Sequence, residues 1–294
     1  MKLAPLYRMD EGDARFYARI GNFNEVHWYP SVTTVVGATS PTPESLINWI
    51  AQHGRKEANR LRDEAAEYGT AMHILASEYI EGKPLNLAMI RERFGERMVK
   101  DLLAWAAFIE ERDVKLIASE LMLYSDFYKV AGTTDLVCEM DWDGKRVTAI
   151  VDLKSGRSFY ESHAVQVAYY AAMYNKHALA SDDNDFAPVT EWFNWAPKDW
   201  TKAPTYSLKR QTDAVSTDEL ESRSELWRHM TPRTSPKATL ELDVDTMHLG
   251  GVTPCIRFTH PDEVILIKAG LAEPMPTRGN ALPQTNGHTV APHY

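Results

Sequence analysis

Asp135, Asp152 and Lys154 stand in two neighbouring apolar runs and are the residue types that could do chemistry together, two carboxylates and an amine. Carboxylate oxygens are hard donors suited to Mg2+ or Mn2+. An ammonium beside them can offset the negative charge that builds on a phosphate under attack. The set outlines a centre for metal-dependent phosphodiester cleavage. Zinc fits less well, because it usually takes several His or Cys ligands and none cluster here.

Whether the three groups meet depends on a hairpin. Between the β-rich runs 133–140 and 146–153 lies Asp141-Trp142-Asp143-Gly144-Lys145, and Asp-Gly favours a two-residue turn with positive φ at both central positions. Pairing outward from that turn sets Trp142 opposite Lys145, Asp135 opposite Asp152, and Thr133 facing Lys154. Opposed residues share a sheet face, and Lys154 shares the face of Asp152 because strand side chains alternate. Two carboxylates about 5 Å apart repel by roughly 3 kcal/mol at an effective dielectric of about 20, a cost that a cation removes. Taken alone, the hairpin fits equally well an ordinary salt-bridged sheet face with Lys154 neutralising one Asp.

The positioning elements follow from periodicity. A short β pair at 16–20 and 26–29 precedes a helical region and two long helices. In the first, Ala58, Leu61, Ala65, Tyr68, Met72, Leu75 and Tyr79 recur at three- and four-residue steps and predict a buried stripe, with His73 beside it. Gly69, one turn earlier, would let a backbone or phosphate approach closely. The second helix, 87–112, reads as core. Strands are expected at 115–124, 129–140 and 146–153, a helix at 162–178 and a strand at 189–195 with Trp192 and Trp195 as packing residues. Gln166 and Tyr170 lie four apart on one helical face that Tyr174 and His177 extend. Glu120, with apolar neighbours, is expected to face inward, where it must join a metal shell or pair with a base such as Lys154.

In chain order these pieces resemble the RecB-like branch of the PD-(D/E)XK nucleases: Gly69-Thr70-Ala71-Met72-His73, Glu120, Gly132-Thr133-Thr134-Asp135, Asp152-Leu153-Lys154-Ser155-Gly156, then Gln166 with Tyr170. The opening, Pro30-Ser31-Val32-Thr33-Thr34-Val35 followed by Leu46-Ile47-Asn48-Trp49, is most similar to phage-borne members. The resemblance implies an α/β fold with a restriction-endonuclease-like core, a central mixed sheet flanked by helices, and an N-terminal helical elaboration. It implies that His73, Asp135, Asp152 and the Leu153 backbone carbonyl hold Mg2+ or Mn2+, with Glu120 joining directly or through water. Lys154 would position the attacking water, and Gln166 and Tyr170 would orient the DNA backbone and support Lys154. A DNA exonuclease of recombination or replication is the leading expectation, in a cytoplasm and beside a single-strand annealing protein or separate helicase. A homo-oligomer is compatible, since rings occur among such enzymes. A structure-specific endonuclease and a non-cutting DNA-end-binding accessory protein are the alternatives, and the intact Asp135, Asp152 and Lys154 weigh against the latter.

Composition agrees with this reading. At 294 residues and 44% hydrophobic, the chain can bury a full core, read as one nuclease domain over 1–270 with its core at 65–196 and a flexible tail at 271–294. No apolar run reaches the length of a membrane span, and the first residues lack a signal-peptide h-region. Two cysteines, Cys138 and Cys255, are too few for the four-cysteine iron-sulfur cluster that some RecB-like nucleases carry. A net charge of −9 argues against a protein that coats nucleic acid, but phosphate contacts need only a local basic strip. Candidate strips are Arg55, Lys56, Arg60 and Arg62; Arg91, Arg93, Arg97 and Lys100; and Lys198, Lys202, Lys209 and Arg210, though any single one reads more readily as a solvated face, since Glu and Asp accompany most of them.

Overall fold

The computed structural model describes residues 6–11, 14–21, 25–179, 187–231 and 234–236. Three antiparallel strands, β1 (Leu6–Glu11), β2 (Ala14–Ile20) and β3 (Val26–Pro30), form a small sheet where the sequence predicts only a pair. Ser31 then caps α1 (Val32–Thr39), its hydroxyl accepting the Thr34 N–H. α2 (Glu44–His53) and α3 (Arg55–Ile80) are separated by Gly54, whose φ of +75° no helix continues through. Asn86 caps α4 (Leu87–Glu111). Expected as one rod, α4 is broken at Gly95, where φ is +82°. The predicted stripe on α3 holds only in part: Ala58, Met72 and Leu75 are buried, whereas Ala65 and Tyr79 are exposed. The early turns of α3 run beside α2, which buries none of its own residues, so no core lies there to cover the stripe.

The main sheet has the order β4-β5-β6-β7-β8, with β4 (Lys115–Ser125), β5 (Val130–Trp142) and β6 (Lys145–Leu153) antiparallel. Asp143 (φ +50°) and Gly144 (φ +71°) make the predicted turn, and pairing runs from Trp142 opposite Lys145 to Leu136 opposite Val151. After α5 (Glu161–Leu179), β7 (Glu191–Pro197) runs parallel to β6, and β8 (Tyr206–Arg210) pairs antiparallel with β7. Trp195-Ala196-Pro197 ends β7 and is buried. Ser216 caps α6 (Thr217–Met230), its hydroxyl accepting the Glu219 N–H.

Alternation along the strands feeds two cores. Val137 and Ile150 pack towards α5 with Val165, Tyr169 and Met173, and α6 adds Leu220 and Trp227. Leu136, Cys138, Val151 and Leu153 face the opposite way onto Met72 and Leu75 of α3 and Met98, Leu102 and Trp105 of α4. Trp105 meets Trp195 edge to face at 4.9 Å, an arrangement worth about 1 kcal/mol beyond the area buried. Among the described residues no helix is long and apolar enough to cross a membrane. The expected tail after 270, Cys255, His288 and His293 lie outside the described residues.

Candidate active site

Asp135 stands one residue beyond the last β5–β6 pair, where the two strands part. The register leads towards Asp152, but the Asp135 carboxylate reaches across the gap, Oδ2 accepting the Leu153 N–H at 2.6 Å and Oδ1 lying 3.1 Å from His73 Nδ1. Thr133, expected to face Lys154, instead shares a 3.0 Å hydrogen bond with the Tyr17 hydroxyl of β2, because it lies past the end of that ladder.

Asp152, 1% exposed, is tied to Lys154, whose Nζ lies 2.7 Å from its Oδ2. Lys154 Nζ also donates to Gln166 Oε1 at 2.9 Å, and Gln166 Nε2 donates to the Tyr170 hydroxyl at 3.0 Å. The four-residue spacing on α5 thus delivers Gln166 to Lys154 and Tyr170 to Gln166. Tyr174 and His177 do not continue that edge: Tyr174 is buried in the core, and His177 lies 2.7 Å from the Tyr124 carbonyl of β4. Gly132 has its use here, since a Cβ on it would sit 2.7 Å from the Tyr170 ring. At Gly69 a Cβ would meet Ser155 Oγ at 3.1 Å, so the neighbour that approaches closely is the loop after Lys154.

Asn194 and Gln211 are site residues that sequence reasoning missed. Asn194, fully buried on β7, lies directly beside Asp152 and donates to its Oδ2 at 2.8 Å, while its own Oδ1 accepts from Gln211 Nε2 at 2.8 Å. The one available signal is a lone Asn inside the apolar run Glu191–Pro197. Assigning it to Asp152 requires the register of a parallel pair, which no turn dictates.

Glu120 departs from expectation. It is exposed, not inward, and its φ of +48° takes it out of the ladder between the pairs Ser119–Leu136 and Leu121–Thr134. That strained backbone brings it to the edge shared by His73 and Asp135: a ring nitrogen of His73 and carboxylate oxygens of Glu120 and Asp135 all lie within 4.8 Å of one another. They line one cleft together with Trp105 and Leu153. Asp152 stands outside this trio, engaged by Lys154 and Asn194.

Electrostatics follow from this crowding. Burial raises the Asp152 carboxyl to about 6, with Lys154 pulling against the rise and Asp135 adding to it. Burial also works to raise Asp135, but the His73 ring, Lys154 and the Leu153 N–H hold its carboxyl below the usual range. Burial lowers His73, yet Asp135 and Glu120 outweigh it and bring the imidazole to about 9. One nitrogen and several carboxylate oxygens, mutually repelling when bare, suit a hard divalent cation. Asp152 Oδ1 accepts no hydrogen bond from the described residues and can serve as a further donor.

Several residues of the basic strips are paired with acidic neighbours. Arg60 bonds Glu57 and Glu64, Arg91 bonds Glu96, and Arg210 bonds Glu191. Arg97 also reaches the loop after Lys154, donating to the Ser155 carbonyl at 3.3 Å.

No curated protein matches the chain. A family model described as the PD-(D/E)XK nuclease superfamily matches residues 46–233, from α2 through α6. That match covers well over half of the 294 residues and includes the mixed sheet with its acidic edge, so the chain belongs to the PD-(D/E)XK nuclease superfamily, whose members are metal-dependent nucleases.

Proposed function

We propose that the protein is a DNA exonuclease that hydrolyses phosphodiester bonds to 5′-phosphate and 3′-hydroxyl products with Mg2+ or Mn2+. The observation that carries the reading is Lys154, held between Asp152 and Gln166 beside the trio of His73, Glu120 and Asp135. The exonuclease preference rests on the similarity of Pro30-Ser31-Val32-Thr33-Thr34-Val35 to phage-borne members of the family.

Asp135, Asp152, His73 and the Leu153 carbonyl would hold the cation, with Glu120 as a further ligand. A divalent ion supplies Lewis acidity towards the scissile phosphate and lowers the pKa of water. Lys154 has three N–H donors, and Asp152 and Gln166 leave one to hold the attacking water and meet the charge gathering on phosphate. Gln166 keeps its oxygen turned to Lys154 because its amide nitrogen is committed to Tyr170. Asn194, anchored by Gln211, donates to the same Asp152 oxygen that Lys154 holds and so fixes the carboxylate further.

The test is digestion of end-labelled linear duplex, single strand and covalently closed circle with Mg2+ or Mn2+, wild type beside Lys154→Ala. Progressive loss of linear DNA alone is expected, slowed at least about 100-fold in the variant. Nicking or linearisation of the closed circle would assign an endonuclease. DNA binding without cutting under either ion would assign an accessory role.

A further inference from the structure

Next to this centre lies a second polar cluster that the reaction above does not use. Asp101 of α4 is fully buried, and three side chains converge on its carboxylate. The Tyr68 hydroxyl donates to Oδ2 at 2.6 Å, Arg157 donates to Oδ2 at 3.1 Å and lies 2.9 Å from Oδ1, and Arg97 Nε lies 3.7 Å from Oδ2. Arg97 also rests its guanidinium on the Tyr68 ring, 4.4 Å from the centroid. A buried carboxylate is costly, and the use of this one is to hold two guanidiniums together in a fixed geometry.

Their outer edges stay within reach of solvent, with side-chain exposures of 56% for Arg97 and 28% for Arg157. Arg157 already holds an anion there: the carboxylate of Asp199, 90% exposed, lies 3.1 Å from it. Without Asp199, two positive charges face one buried negative charge. The site is also close to the chemistry. Arg97 grips the Ser155 carbonyl, one residue from Lys154, and three residues of chain put Arg157 at most about 10 Å from it.

We propose that Arg97 and Arg157, braced by Asp101, bind a DNA phosphate next to the one under attack, and that Asp199 occupies that position when DNA is absent. The inference rests on the nuclease reading. Bidentate guanidinium donors suit a phosphate, and their bracing lowers the ordering cost of binding it. The shared chemistry is a phosphate oxygen pair, supplied by either an internal phosphodiester or a terminal phosphate monoester.

The test is the affinity of the full chain for short duplexes with 5′-phosphate or 5′-hydroxyl ends, across a salt series, without divalent ion. Removing Arg157 would leave Asp101 buried and poorly paired, so the variants are Arg97→Gln and Asp199→Asn, both at exposed side chains. Arg97→Gln is expected to weaken binding about fivefold to tenfold and to reduce the log-log salt slope by about one. Asp199→Asn is expected to tighten binding at low salt. Equal loss on both ends in Arg97→Gln assigns an internal phosphate, and loss confined to the phosphorylated end assigns the monoester. Unchanged affinity and slope in both variants, or weaker binding in Asp199→Asn, would overturn the proposal. A wild type that binds DNA but cuts none with either ion would overturn the nuclease reading instead, since binding is read apart from cutting.

Discussion

The His73 imidazole lies against Asp135 with Glu120 nearby, and their charges hold its proton up to about 9 against the effect of burial. Without metal, the His73–Asp135 pair contributes stability that is full below about pH 6.5 and is lost as pH rises through about 9, the sense expected for a raised histidine. Metal ligation needs the neutral ring, so cation and proton compete. Between pH 7 and 8 the affinity for Mn2+ is expected to rise about tenfold, with one proton released per ion, and His73→Gln should flatten that dependence in calorimetry. A pH-independent affinity in the wild type would take His73 out of the ligand set. Asp135 and Asp152 were legible as neighbours because one turn fixes a register that runs to Leu136 opposite Val151, one pair short of them, whereas the expected facing of Thr133 and Lys154 lies beyond that ladder. Glu120 was legible as to its place in the chain but not its exposure, since a left-handed φ at a non-glycine residue leaves no mark in sequence pattern. Asn194 was not legible, because its partner is set by a parallel pairing across an intervening helix.

Among the elements, the β5–β6 hairpin was read correctly because its information is local: Asp143 and Gly144 both take the positive φ that their residue types permit. Gly144→Ala places a Cβ in that conformation and is expected to cost about 1 kcal/mol. A urea titration should show a lower midpoint with an unchanged slope. A change in slope would mean that the turn sets compactness as well as register. The strands β1 and β8 were missed, being short and rich in charge, and each is held by one neighbouring strand. The exposed half of α3 was misread for a different reason. Periodicity reports which face is apolar, and only tertiary structure decides whether anything lies against it.

At the scale of the molecule, segments far apart in the chain close on one another. Tyr17 bonds Thr133 two residues before Asp135, and Arg223 of α6 donates to the Thr39 carbonyl at the end of α1 at 3.1 Å. Fold class was legible throughout, whereas these closures join residues more than 100 apart in sequence and carry no local signature. One buried group turns this architecture into a clock. Cys138 sits in the middle of β5, fully buried, and burial pushes its thiol up to about 12, so it is inert to alkylation while the strand stays in place. In a Cys255→Ser background, the rate of thiol capture then counts how often β5 leaves the sheet. Because Asp135 leaves with it, metal at about 100 times its Kd should slow capture roughly 100-fold. A capture rate indifferent to metal would mean that β5 opens without disturbing the ion, and a single thiol would have separated the motions of the fold from those of its catalytic edge.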